Sequence, residues 1–323
     1  MNGIATAHSS NRFVHKNIMK IQYYLPQAVL TNETLAKSFP EWSAEKILAK
    51  TGIDTRHISD EREGSLELSV RACKKLFAEG VAPGMIDFIL MCTQSPKYRL
   101  PSTACLLQAE LGIPCASGAL DFDLGCSGFV YGLAMAKGLV KGGVAKSILL
   151  VTAETYTKYI GEMDKSTRTI FGDGAAATLI DEDMVGRLGE FVLGTDGSGA
   201  DKLILRESEN LFMDGPEIFN FTLDVVPKTI DAVCGKNGIT RDDVDFFVFH
   251  QANKFMLDTI RKVTGLSKDK FYVNLEDTGN TVSSTIPIAL KRAESEGKLR
   301  TGMKVMVLGF GVGLSWGGTI IQY

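Results

Sequence analysis

Cys126 stands in the run Asp-Phe-Asp-Leu-Gly-Cys-Ser-Gly-Phe-Val over residues 121–130. There a β-prone apolar run breaks at Gly125 and an apolar, helix-like stretch over 129–140 begins. That context puts a thiol at a helix N-terminus, where unpaired N–H groups and the positive end of the helix dipole stabilise a thiolate, the form that attacks carbonyl carbons. A small buried cysteine at a strand-to-helix junction is the plainer reading of the same residues. His250 ends the apolar run Phe-Phe-Val-Phe of residues 246–249 and precedes a helical pattern over 254–263. The imidazole is thereby expected at the carboxyl end of a strand, where ligands and catalytic groups gather in α/β folds. His8 and His15 lie in a polar N-terminal stretch and His57 in a charged loop, so His250 is the one histidine of four in a site-like context. Asn280 sits in a polar, glycine-containing loop that enters a helix. On its own it reads equally as a turn or capping residue.

The segments around these residues alternate in strand-like and helix-like character. From Asn17 onward, strand-like runs cover 18–25, 88–93, 147–153 and 175–180, and helical patterns cover 43–50, 65–79 and 103–111. The C-terminal portion repeats the theme over 246–249, 254–263, 284–295 and 304–308. This order predicts an α/β protein whose parallel strands are covered on both faces. The stretches beginning Phe171-Gly-Asp-Gly-Ala and Phe310-Gly-Val-Gly-Leu both read as a glycine turn followed by a strand, a faint internal echo. The 323 residues, 45% hydrophobic, can bury a large core. A net charge of −3 argues against nucleic acid as the main partner. Six cysteines without a C-x-x-C pair fit a reducing cytoplasm better than disulfides or a zinc site. No apolar run approaches the ~20 residues that span a bilayer. Residues 1–16 lack the apolar core of a signal peptide and read as an extension.

Taken together, Leu-Gly-Cys126-Ser-Gly-Phe, Phe171-Gly-Asp-Gly-Ala, Asp196-Gly-Ser198, His250-Gln-Ala-Asn253, Gly279-Asn280-Thr281 and the C-terminal glycine-rich run from Gly309 to Gly317 resemble the thiolase superfamily. They most closely resemble its β-ketoacyl-acyl-carrier-protein synthase III branch. The resemblance spans roughly residue 20 to the C-terminus and implies a five-layer αβαβα fold built from two similar halves. The halves are expected over 17–190, carrying the nucleophilic cysteine, and 191–323, carrying the histidine and asparagine, with the site between them.

The resemblance further implies a homodimeric enzyme without cofactor or metal that condenses a Cys126-bound acyl group with malonyl-acyl carrier protein, in fatty acid or related acyl and polyketide synthesis. His250 and Asn280 would hold the thioester oxygen, and the backbone N–H groups of Cys126 and Val312 would form the oxyanion hole. Asp173 is assigned a structural place. Leu100 falls where the family caps the acyl pocket across a dimer. Members primed by coenzyme A carry a tryptophan and an arginine just before Thr-Gly-Ile, where Lys46 and Lys50 stand here; Trp42 comes one helical turn earlier, and Lys165 and Arg168 are the nearest substitutes for a further arginine. The acyl donor is therefore left between coenzyme A and carrier-protein thioesters. Lys254, Arg261 and Lys262 are the expected docking face for acidic acyl carrier protein, a solvated helix face being the other reading. Two alternatives stand beside condensation: an acyltransferase to an oxygen, nitrogen or sulfur acceptor, and a non-catalytic partner in a heterodimer.

Overall fold

The computed structural model describes residues 19–207 and 210–323, so the expected extension over 1–16, with His8 and His15, lies outside the described residues. Two sheets carry the fold. The first contains β1 (Lys20–Tyr24), β2 (Phe88–Cys92), β3 (Gly118–Phe122), β4 (Ser147–Glu154) and β5 (Gly174–Asp181), in the order β1-β5-β4-β2-β3. The second contains β6 (Val192–Thr195), β7 (Phe246–Phe249), β8 (Lys304–Gly311) and β9 (Ser315–Gln322), in the order β7-β8-β9-β6. Every residue of β4 is buried and all but the last of β5. Their unbroken apolar character follows from cover on both faces rather than one.

Six helices complete the layers. The helices α1 (Ser65–Ala78) and α2 (Thr103–Leu111) cover the outer face of the first sheet. Between the sheets lie α3 (Gly128–Lys141), which packs on strands of both, and α6 (Thr285–Ser295), which touches β1, β5 and β7. Helices α4 (Gly215–Lys236) and α5 (Lys254–Val263) pack together, α4 lying on β8, β9 and β6 as the outer layer of the second sheet. The result is the expected αβαβα order.

The strands are not all parallel, as the alternating pattern predicted. In the first sheet β2 runs parallel to β3 and β4, whereas β5 is antiparallel to both β4 and β1. In the second, β7 and β8 are parallel, while β9 is antiparallel to β8 and β6. For β8 and β9 the physical reason is connection length. A tight turn joins β8 to β9, pairing Gly311 with Ser315, and antiparallel pairs alone can be joined so closely. The two sheets nonetheless repeat each other strand for strand, with the edge strand β3 reduced in the second sheet to a single parallel bridge between Phe247 and Phe271. The internal echo in the sequence falls on equivalent strands, β5 and β9.

Candidate active site

Cys126 follows β3 and lies one residue before the N-cap of α3, at the junction read from the sequence. It is 5% exposed. The end of β8 comes up against it so closely that a Cβ on Gly311 would stand 2.8 Å from the Cys126 sulfur, and one on Gly309 would stand 2.6 Å from the Cys126 carbonyl oxygen. Only glycine permits that approach. The turn beyond β8 is pinned by reciprocal backbone bonds between Asp196 and Leu314, of 2.8 and 3.0 Å. The N–H groups of Val312 and of Cys126 itself bond to the sulfur. The two expected oxyanion donors therefore meet at one atom.

The surroundings of the thiol act against the thiolate expected from the helix end as well as for it. Burial pushes the Cys126 thiol up to about 12, against the smaller opposing effect of the two N–H groups. Loss of water is the largest influence on the thiol, and the nearby Glu154 acts in the same direction.

His250 follows β7 directly, its N–H donating to Leu308 at 2.8 Å. Burial pushes its imidazole down to about 3, so it is neutral at ordinary pH. Nδ1 lies 2.7 Å from the Thr285 hydroxyl at the start of α6. That hydroxyl donates to the Val282 carbonyl at 3.0 Å. Nε2 faces Asn280 Nδ2 at 3.4 Å.

Asn280 is clamped by its backbone, its N–H donating to Ile170 at 2.9 Å and its carbonyl accepting from Gly172 at 3.1 Å. Its Oδ1 accepts from Val282 N at 2.8 Å, which turns the amide N–H groups inward. Val282 holds φ at +55°, a strained value for a β-branched residue that costs roughly 1–3 kcal/mol. The strained residue is the one that orients the Asn280 amide. Cys126, His250 and Asn280 line one cavity with Phe171, Phe310 and Met256. Asp173 stays apart from it, buried and accepting from Ser59 N at 2.8 Å and Thr157 N at 3.1 Å.

The peripheral residues divide. Around the Trp42 ring gather Lys46, Lys50 and Lys165, with ammonium nitrogens 5.6, 5.4 and 5.7 Å from its centroid. Arg168 turns elsewhere, donating to the Glu162 carbonyl at 2.7 Å. Leu100 is 85% exposed. The expected basic face on α5 is only partly free. Lys254 pairs with Asp258 and packs its stem on Gly52, Arg261 reaches the Leu266 carbonyl at 3.4 Å, and Lys262 is exposed. A same-helix aspartate and a nearby loop carbonyl absorb what the sequence pattern showed as open charge.

Sequence reasoning passed over Glu154, the last residue of β4, although a carboxylate closing an apolar strand at its carboxyl end is a visible signal. It accepts from Gln94 N at 3.1 Å, Ser95 Oγ at 2.9 Å and Ser283 Oγ at 3.2 Å, tying three segments together beside the site. Burial pushes it up to about 8, above the 4.5 of the unfolded chain. The folded protein thus keeps a proton that the unfolded chain has lost. The stability so conferred is complete below about pH 4.5 and is lost as pH rises toward 8, with a slope approaching about 1.4 kcal/mol per pH unit. Melting temperature is expected to fall from pH 5 to pH 8, and Glu154→Gln, which cannot ionise, to flatten that fall. Equal slopes in the two proteins would remove Glu154 as its source.

Among the described residues no group of three or more His, Cys, Asp or Glu side chains is placed to hold a metal, and no helix is long and apolar enough to cross a membrane. Comparison with known proteins adds to this geometry. Residues 120–197 match the model of 3-oxoacyl-[acyl-carrier-protein] synthase III, and residues 234–323 match that of its C-terminal part. The β-ketoacyl-[acyl-carrier-protein] synthase III of Caldanaerobacter subterraneus subsp. tengcongensis is 35% identical, over 93% of this chain and 95% of that protein. That of Lactococcus lactis subsp. lactis is 36% identical, over 94% and 98%. A crystal structure of a 3-oxoacyl-(acyl-carrier-protein) synthase III superposes with a TM-score of 0.91 at 47% identity, covering 94% of this chain and 98% of that one. With relatives this similar along nearly the whole length of both chains, the protein belongs to the β-ketoacyl-[acyl-carrier-protein] synthase III family.

Proposed function

We propose that the protein catalyses a decarboxylating Claisen condensation, joining an acyl group carried on Cys126 to malonyl-acyl carrier protein. The observation that carries this reading is the convergence on one buried cavity of the Cys126 sulfur, under two N–H donors, with Nε2 of His250 and the side-chain amide of Asn280. In the first half-reaction the sulfur attacks an acyl thioester. Its proton goes to the departing thiolate, and the N–H groups of Cys126 and Val312 hold the tetrahedral oxyanion. In the second, the malonyl carboxylate leaves as carbon dioxide while His250 Nε2 and Asn280 Nδ2 donate to the thioester oxygen that gains charge. The carbanion carbon bonds to the acyl carbon, and the Cys126 thiolate, expelled in that step, takes up one proton.

No resident cofactor is needed, since the thioester supplies an activated acyl group and decarboxylation supplies the carbanion. Lys46, Lys50 and Lys165 offer point charges for the phosphates of the acyl donor, and Lys262, with Lys254 and Arg261 behind it, offers a surface to acidic carrier protein. We place the join between the halves at 190/191, after β5 of the first sheet and before β6 of the second. We further infer a homodimer. Strand β3 is an open sheet edge, and Leu100, Tyr98 and Leu120 are exposed nearby in the chain. Such an edge and such side chains are usually covered, and a second copy that covered them would bring Leu100 toward its neighbour's acyl pocket. Six free cysteines fit a cytoplasmic enzyme.

The test is to supply malonyl-acyl carrier protein with a panel of acyl thioesters and follow carbon dioxide and product together. One carbon dioxide released for each β-ketoacyl product is expected. Acyl transfer to another acceptor without carbon dioxide would assign the protein to the acyltransferase alternative.

A further inference from the structure

A second cavity, of about 330 Å³, lies beside Cys126 and meets the first at Leu203, which lines both. Val312, whose N–H bonds to the Cys126 sulfur, forms part of its wall. The Val312 and Gln94 side chains both press on Gly125, where a Cβ would come within 2.5 Å of Val312 Cγ1 and 2.6 Å of Gln94 Oε1. This cavity thus neighbours the nucleophile through Val312 and Leu203, and His250 lines only the first. One wall is aliphatic, made by Leu203, Leu205 and Leu211. The lining also carries a hydrogen-bonded relay: the Tyr156 hydroxyl donates to Gln94 Oε1, and Gln94 Nε2 donates to Asp123 Oδ1 at 2.8 Å. The second Asp123 carboxylate oxygen and the Tyr159 hydroxyl have no hydrogen-bond partner among the described residues. None of the lining residues is cationic.

We propose that this cavity selects a short acyl group bearing a hydroxyl, which donates to the Asp123 carboxylate while its carbon chain lies on the leucine wall. The proposal rests on the condensing function above and names its acyl substrate class. A relay of two neutral side chains ending on a carboxylate presents acceptors, so a hydroxyl finds a partner there. A plain alkyl chain strips water from the relay and returns nothing. A chain ending in its own carboxylate meets Asp123 with no cation among the lining residues to offset the repulsion. The specificity-determining residues are therefore Asp123 and Gln94, with Tyr156 holding the Gln94 amide in register.

The experiment compares kcat/KM for acylation of Cys126 by 3-hydroxybutyryl, butyryl and succinyl thioesters, each on coenzyme A and on carrier protein, read by intact mass. A preference of about tenfold or more for hydroxybutyryl over butyryl is expected, from one hydrogen bond to a charged acceptor, with succinyl slowest. In Asp123→Leu and in Gln94→Leu that ratio is expected to fall to about one. The ratio is measured within each variant, so partial unfolding does not mimic the result. Butyryl acylating the wild type as fast as hydroxybutyryl, succinyl outpacing butyryl, or a ratio untouched by Asp123→Leu would overturn the proposal and leave the condensing function standing. An enzyme that none of the thioesters acylates would instead count against that function.

Discussion

Cys126→Ala is expected to abolish the covalent acyl adduct and to lower condensation by at least about 10⁴-fold, the scale seen when an enzyme loses its nucleophile. Alanine is the informative replacement. It keeps the small volume that Gly311 and Gly309 require at this point, so the change removes the sulfur without forcing β8 away from α3. His250 and Asn280 are untouched in such a variant, and both reach the malonyl thioester without help from the sulfur. Carbon dioxide release from malonyl-acyl carrier protein, uncoupled from carbon–carbon bond formation, should therefore persist when acylation is gone. A mass adduct on the Cys126→Ala protein would place the nucleophile elsewhere. Among the other cysteines, only Cys105 and Cys115 are exposed enough to be attacked from solution.

Much of this site was legible in the sequence because its chemistry sits at breaks between elements. Glycine and polar residues interrupt apolar runs at Gly125, His250 and Gly279, and those breaks fall where β3 ends, where β7 ends and where α6 is about to begin. The α2 pattern was read to the residue because Thr103–Leu111 lies between Ser102, its N-cap, and Gly112 in the left-handed conformation. Other features were hidden for physical reasons. Helix α4, with 22 residues, was not read at all, since Pro227 and the glycine and proline at its start look like punctuation; Pro216 stands in its first turn, where no N–H is needed. Strand direction was misread because a buried antiparallel strand such as β5 is as continuously apolar as a parallel one. The close burial of Cys126 could not be read because a helix end is a local feature, whereas burial is set by β8, nearly two hundred residues away. The relay of Gln94, Asp123 and Tyr156 is likewise assembled from three separated loops, with no spacing to betray it.

His250→Ala and Asn280→Ala are each expected to lower condensation by about 10²–10³-fold, the loss that follows removal of one positioned oxyanion donor. The loss should fall on the second half-reaction. Acyl-enzyme would then form at a rate near that of the wild type and accumulate, because the donors for its tetrahedral intermediate are backbone N–H groups that neither substitution removes. A single-turnover experiment separates the two. Acylation read by intact mass should hold, while carbon dioxide release on adding malonyl-acyl carrier protein should drop in step with product. The neutral state of His250 sharpens the expectation. An imidazole pushed down to about 3 by burial carries no charge from pH 5 to 9, so turnover should show no break near the 6.5 of an ordinary histidine. A break there that vanished in His250→Ala would put an imidazolium in the cycle and replace the donor role with acid–base catalysis. Thr285→Val offers an independent check, since it removes the hydroxyl that meets Nδ1 while leaving the imidazole in place. If that contact holds the ring in place against the malonyl thioester, its loss should slow decarboxylation and spare acylation, the same division as His250→Ala at smaller amplitude.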